Sequence, residues 1–204
     1  MSPSFPSFPS LLLIFLKFEI NTFTPYSIKT IFDFMDAMGE DDTRNQLLKR
    51  LSINEQQLGQ IAGFTNKKYP NIDLSYELED EDSIVAGSPA YIKVKIEREV
   101  DDGDGDDNSG VDTTVHAPFY PHPKMENWWL VVGEESTKSL LAIKRATIGK
   151  RLNIKLEYTV PTPGKHQVKL FLMSDSYVGV DLEEEFEVEA AEGMDENEDE
   201  EEDD

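Results

Sequence analysis

The sequence contains no cysteine, so neither a disulfide framework nor a thiolate metal site can be built from it. With no Asn-x-Ser/Thr acceptor either, a reducing, intracellular compartment is expected. Histidine is scarce, at three residues. His116, His122 and His166 lack the His-x-x-x-His spacing of a zinc site, so solvent-exposed imidazoles are expected at all three. Basic residues are few, 19 against 42 acidic ones, and the formal net charge is −23. Most of the surface therefore repels phosphate, and no direct binding of nucleic acid is expected. Long apolar runs are also missing. Leu11 to Leu16 is too short to cross a bilayer, and no lysine or arginine precedes it as a signal peptide would require. No membrane association is expected, and residues 1–30, with Pro3, Pro6 and Pro9 set among Ser and Phe, read as an atypical extension outside the fold.

The hydrophobic share of 38% is low for a chain of 204 residues packed from end to end. The acidic excess is concentrated in two places. Residues 191–204 hold ten carboxylates and no basic group, and Asp101 to Asp107 hold five more, which leaves about −8 on the remainder. By composition both segments are disordered, and a carboxylate-dense tail can attract a basic partner with a strength that falls as salt rises.

From residue 31 to 69 the apolar period is helical. Ile31, Phe34, Met35 and Met38 share a face that Gly39 can stop, Asp41 or Asp42 can cap a second helix carrying Leu47, Leu48 and Leu51, and Asn54 can start a third with Leu58, Ile61, Ala62 and Phe64. Helices this short do not bury their stripes alone, so they are expected to need the following domain or a missing partner. Tyr69-Pro70-Asn71 ends the helical part, because the residue before a proline is pushed out of the α region.

Seven strands follow in residues 70–190. Ile72 to Leu78 alternates strictly. Ile92, Val94 and Ile96 alternate with Lys93, Lys95 and Glu97, and further strands are expected near 127–133, 139–147, 152–159, 166–174 and 184–190. Pro118, Pro121 and Pro123 make His116 to Lys124 an extended connector. Seven short strands with one apolar face each imply a mainly β fold, an immunoglobulin-like or fibronectin-like sandwich preceded by a short helical segment. Trp128 and Trp129 are consecutive in a strand, so they face opposite sides of the sheet. One belongs to the core. The other is either an exposed anchor for a partner or covered by the preceding helices, and the sequence leaves open which tryptophan takes which role.

No constellation carries chemistry. Ser174, Asp175 and His166 have the residue types of a hydrolytic triad but no Gly-x-Ser-x-Gly elbow. Gly164-Lys165 is followed by His166 instead of Ser or Thr, so it is no P-loop. Asp101 to Asp107 would need Asp112 as its bidentate twelfth ligand and flanking helices to act as a calcium loop. No catalytic residue, cofactor or metal ligand is expected, and the partner-contact residues stay unassigned.

Several motifs in order carry a resemblance: Tyr69-Pro70-Asn71-Ile72-Asp73-Leu74-Ser75-Tyr76-Glu77, then Glu126-Asn127-Trp128-Trp129-Leu130-Val131-Val132-Gly133, Leu140 to Arg145, and Phe171 to Asp181 with its Ser174-Asp175-Ser176-Tyr177. Over roughly residues 31–190 the chain resembles the C-terminal end of a Sec-sixty-three, or Brl, homology domain. Within that family it is most similar to the last such domain of the large spliceosomal DExH-box RNA helicases. The resemblance implies a noncatalytic, nuclear interaction module of pre-mRNA splicing whose partners are splicing factors or neighbouring helicase domains. The family's helicase motor lies far upstream, and neither its P-loop nor its DExH box occurs here, so no ATPase role passes to any residue. Val180 stands where the family usually has cysteine, and the 101–110 loop looks like an insertion. The alternative is a Brl component of endoplasmic-reticulum translocation, where an acidic tail is typical. The membrane spans and His-Pro-Asp signature of that family are absent.

Overall fold

The computed structural model describes residues 30–100 and 111–193, and the chain divides between Tyr69 and Pro70 into two units. The expectations placed on residues 1–29, the 101–110 loop and the tail from 194 lie outside the described residues.

The first unit holds three helices, α1 (Ile31–Met38), α2 (Asp41–Leu51) and α3 (Glu55–Lys67). Thr30 and Asp33 close a reciprocal capping box at α1, and Asn54 does the same with Gln57 at α3, each satisfying amides that have no partner within the helix. At α2 the expected aspartate cap is replaced. Glu40 is the N-cap and offers its side chain to Thr43 Oγ1 (3.1 Å), while Asp41 and Asp42 sit inside the first turn, where their charge suits the helix dipole. Phe34, Leu48, Leu58 and Ile61 form one buried cluster, with Met35, Met38, Leu51 and Ile53 packed against it. The three stripes therefore meet one another. Two very short connectors, Gly39–Glu40 and Ser52–Asn54, fold the helices back closely enough to share a core.

The second unit is a sandwich of two antiparallel sheets, and the fold is mainly β as its alternation predicts. Strands β1 (Ile72–Glu79), β2 (Pro89–Arg98) and β5 (Arg151–Thr159) form one sheet in the order β1-β2-β5. Strands β3 (Trp128–Glu134), β4 (Ser139–Ala146), β6 (Gly164–Ser174) and β7 (Leu182–Ala190) form the other in the order β4-β3-β6-β7. Strands distant in sequence thus become neighbours, as in immunoglobulin-like folds. The inner faces meet through Ile92, Val94, Ile96, Leu156 and Tyr158 on one side and Trp128, Leu130, Val132, Val168, Leu170, Leu172 and Val188 on the other, all buried. Tyr76 and Tyr158 pack on the Phe186 ring across the sheets at centroid distances of 5.2 and 6.4 Å. Val180 is buried as well.

One buried polar pair closes the core at each end. Arg98 forms an ion pair with Glu126 and also donates to the carbonyls of Ile148 and Gly149. Burial pulls the Arg98 guanidinium down to about 10, so it keeps its charge at neutral pH. At the other end His166 Nδ1 lies 3.0 Å from Glu134 Oε1 and Nε2 lies 2.8 Å from the Thr162 carbonyl. The expected solvent exposure of His166 is thereby overturned, although His116 and His122 are exposed. His166 stands on the inward parity of β6, and a carboxylate and a carbonyl there replace the water it gives up.

The His116 to Lys124 connector, expected to be extended, is not. It folds back on itself: its flanks pair through a Thr114–Met125 bridge and Val115 N to Lys124 O, and Tyr120 N to Ala117 O closes a turn between them.

Candidate interaction surface

The three residue types of the hydrolytic constellation are not brought together. Ser174 ends β6 and His166 lies near its start, eight residues away along an extended strand, or about 26 Å. Ser174 Oγ accepts from the amides of Ser176 and Tyr177, and Asp175 accepts from Asn127 N (3.0 Å) and Lys124 Nζ (2.8 Å). Burial acts to raise the Asp175 carboxyl, but the bonds from Lys124, Ser176 and Asn127 outweigh it and hold the group below its usual range. The Ser-Asp-Ser-Tyr motif thus builds the β6–β7 turn and its tie to the connector. Asp112 accepts from Thr114 N in a local turn.

What remains are the two outer faces of the sandwich. On the three-stranded sheet the outward rows are ionic. Lys93 reaches Glu77 and Glu79, Lys155 reaches Glu79, Lys95 reaches Glu97 at 2.7 Å, and Arg151 reaches the same Glu97 at 2.9 Å. A shallow trough of about 510 Å³ runs over these rows, lined by Ser75, Lys93, Lys95, Asn153 and Lys155. Its lysines already hold carboxylate partners, so it presents no unsatisfied cation to a ligand.

The outward rows of the four-stranded sheet are different. In register across β4, β3 and β6 stand Arg145, Trp129 and Met173, then Ile143, Val131 and Phe171, then Leu140, Gly133 and Lys169. The sheet's parity resolves the tryptophan pair: Trp128 is fully buried, and Trp129 stands outward with 39% of its surface exposed. Arg145 lies over the Trp129 ring, its Cζ 5.6 Å from the centroid, and reaches toward Asp175 at 3.7 Å. Leu140 and Ile143 are 61% and 53% exposed. Residues three apart in a regular strand point to opposite faces. Here the register shifts between Val132 and Gly133, leaving Leu141 as an extra residue in β4, so Leu140 and Ile143 share the outer face.

Beyond β6 the outer face turns acidic, with Glu183, Glu185, Glu187 and Glu189 at alternate positions of β7. Lys169 bridges Glu135 and Glu183 at 2.7 Å each, and Lys165 holds Glu187 at 2.9 Å. The result is an apolar patch three strands wide, with charge on its rim, which is the layout of a protein-binding face. Its centre went unassigned from sequence because Trp129, Val131 and Phe171 each read equally well as core.

Residues 14–187 match the Sec63 Brl domain family. The chain is 41% identical over 175 residues to the U5 small nuclear ribonucleoprotein 200 kDa helicase of Drosophila melanogaster, covering 86% of this chain and 8% of that protein. It is 37% identical over 178 residues to the human protein of the same description, covering 87% and 8%. With the pre-mRNA-splicing factor brr2 of Schizosaccharomyces pombe it shares 41% identity over 168 residues, covering 82% and 7%. The chain therefore spans less than a tenth of the length of these relatives. A match over most of its residues and identities of 37–41% place this chain in the Sec63 Brl domain family.

Proposed function

We propose that the chain is a noncatalytic protein-interaction module of pre-mRNA splicing, acting in the nucleus through splicing factors or neighbouring helicase domains. The carrying observation is the apolar outer face around Trp129. Exposed aromatic and aliphatic side chains in a contiguous patch, rimmed by charge, supply the desolvation and the anchor on which protein association depends. Similarity to splicing helicases supplies the setting. The residues that suggested hydrolysis are spent on turns and on capping the core, which supports a binding role over a chemical one.

Capture from nuclear extract tests the proposal. The full chain is expected to retain splicing components, and Trp129→Ala and Val131→Lys are expected to lose them while staying folded by circular dichroism. Retention of no splicing component by the folded wild type would defeat it.

A further inference from the structure

The sandwich has four edge strands, and they are not alike. The outward positions of β1 are Asp73, Ser75, Glu77 and Glu79, those of β5 are Arg151, Asn153, Lys155 and Glu157, and those of β7 are the four glutamates. Charged and polar side chains at alternate positions are the usual protection of an edge against pairing. The β7 edge is additionally covered. Val85 bridges Ala191, Ala86 N donates to Ala191 O, and Tyr76 Oη reaches the Glu185 carbonyl. Strand β4 is protected less: its charges, Lys144 and Arg145, are confined to one end, and it is not covered as β7 is. It presents Leu140-Leu141-Ala142-Ile143, with the outward Leu140 and Ile143 more than half exposed, and among the described residues it pairs with β3 alone.

We infer that β4 is a strand-addition site. The partner is an extended segment of another protein that continues the four-stranded sheet, with apolar residues beside Leu140 and Ile143 and a carboxylate beside Lys144. Three observations select this occupant. Half the backbone N–H and C=O groups of an edge strand point away from its neighbour and offer an incoming strand a ready ladder. The apolar rows stop at Leu140 and Ile143, so one more strand would extend the patch where it is most exposed. Lys144, on the opposite parity from Ile143, is exposed and has no acidic partner among the described residues, whereas Lys124, Lys165 and Lys169 each hold a carboxylate. A second copy does not fit. Both charges of β4, Lys144 and Arg145, are basic, and each chain carries a net charge of −23, so two such edges repel.

The inference rests on the interaction-module reading and specifies its contact. The probe is a synthetic nonapeptide of alternating valine and threonine with one glutamate set opposite Lys144, added to the full chain while amide exchange is followed by NMR. Alternate amides between Ser139 and Ala146 are expected to slow roughly tenfold at saturation, with the edges β1, β5 and β7 unchanged. Ile143→Lys, at an exposed position where the fold tolerates lysine, is expected to abolish the protection, and unchanged circular dichroism would show that the variant is folded. Protection that is absent, falls on another edge, or arises without peptide together with a dimer in sedimentation would overturn the inference. Splicing components held equally by wild type and Ile143→Lys would also overturn it and leave the module reading intact. Capture by neither chain defeats the module reading, while the peptide result still decides the edge.

Discussion

The two outer faces of the sandwich are made by the same strand chemistry and have opposite character. On the three-stranded sheet the outward lysines and Arg151 all hold carboxylates, from Lys93 with Glu77 and Glu79 to Arg151 with Glu97. On the four-stranded sheet the rows centred on Trp129 and Val131 are apolar except for Arg145 and Glu183 at their ends. Solvent accounts for the first face fully, since exposed ion pairs add little stability and keep a sheet soluble. It does not account for the second, because leaving Trp129, Ile143 and Leu140 in water forgoes the free energy that burying them would release. The difference teaches that the fold is completed on one side and left open on the other.

The largest test separates the two tryptophans. Trp128→Ala should destabilise the second unit by about 3–5 kcal/mol, whereas Trp129→Ala, one residue on, should cost well under half of that, both read from urea unfolding. Equal losses would show that the outer face is covered after all. Of similar size is the buried pair at the end of the core. Arg98→Met or Glu126→Gln alone should cost about 3–5 kcal/mol by stranding a charge or acceptor, and the apolar double variant Arg98→Met/Glu126→Leu should recover most of it. A double variant as unstable as the singles would show that Arg98 acts through its bonds to the Ile148 and Gly149 carbonyls.

Smaller effects separate the faces more finely. Val131→Lys should leave the unfolding midpoint within about 0.5 kcal/mol of wild type yet weaken capture of partners tenfold or more, whereas Lys95→Ala on the other face should change neither. Partner binding lost only by Lys95→Ala would reverse the assignment of faces. The smallest effect is in the ionic ladder. Hydrogen bonds from Lys155 and then Lys93 hold the Glu79 carboxyl below its ordinary value of 4.5. A depressed carboxylate contributes stability above its unfolded value and loses it as pH falls through the folded one. Acidification below about 4.5 should therefore weaken the three-stranded sheet slightly. Salt should flatten that slope, as carboxyl NMR titration with unfolding at several pH values can show.

The strands were legible because alternation is a local property. The run Leu152, Ile154, Leu156, Tyr158 placed β5 to within one residue, and Asn54 marked the start of α3 through its capping chemistry. His166 was misjudged for the same reason. Its neighbours in sequence are polar, and its partner Glu134 arrives on another strand. The α2 cap was misplaced by one or two positions, since Glu40, Asp41 and Asp42 are all acidic and only the backbone turn distinguishes cap from first turn.

By itself the sequence determined the mainly β class, the seven strands, the helical start and the family, because each is written in periods of two or 3.6 and in ordered motifs. Only the tertiary structure decided which tryptophan is core, since parity is meaningful only once the other sheet is in place. It alone set the Leu141 bulge that turns Leu140 and Ile143 to one face, and it alone paired Arg98 with Glu126 across 28 residues. The interaction surface lies in that second group, because a face open to partners differs from a core by what packs against it and not by the residues it is made of.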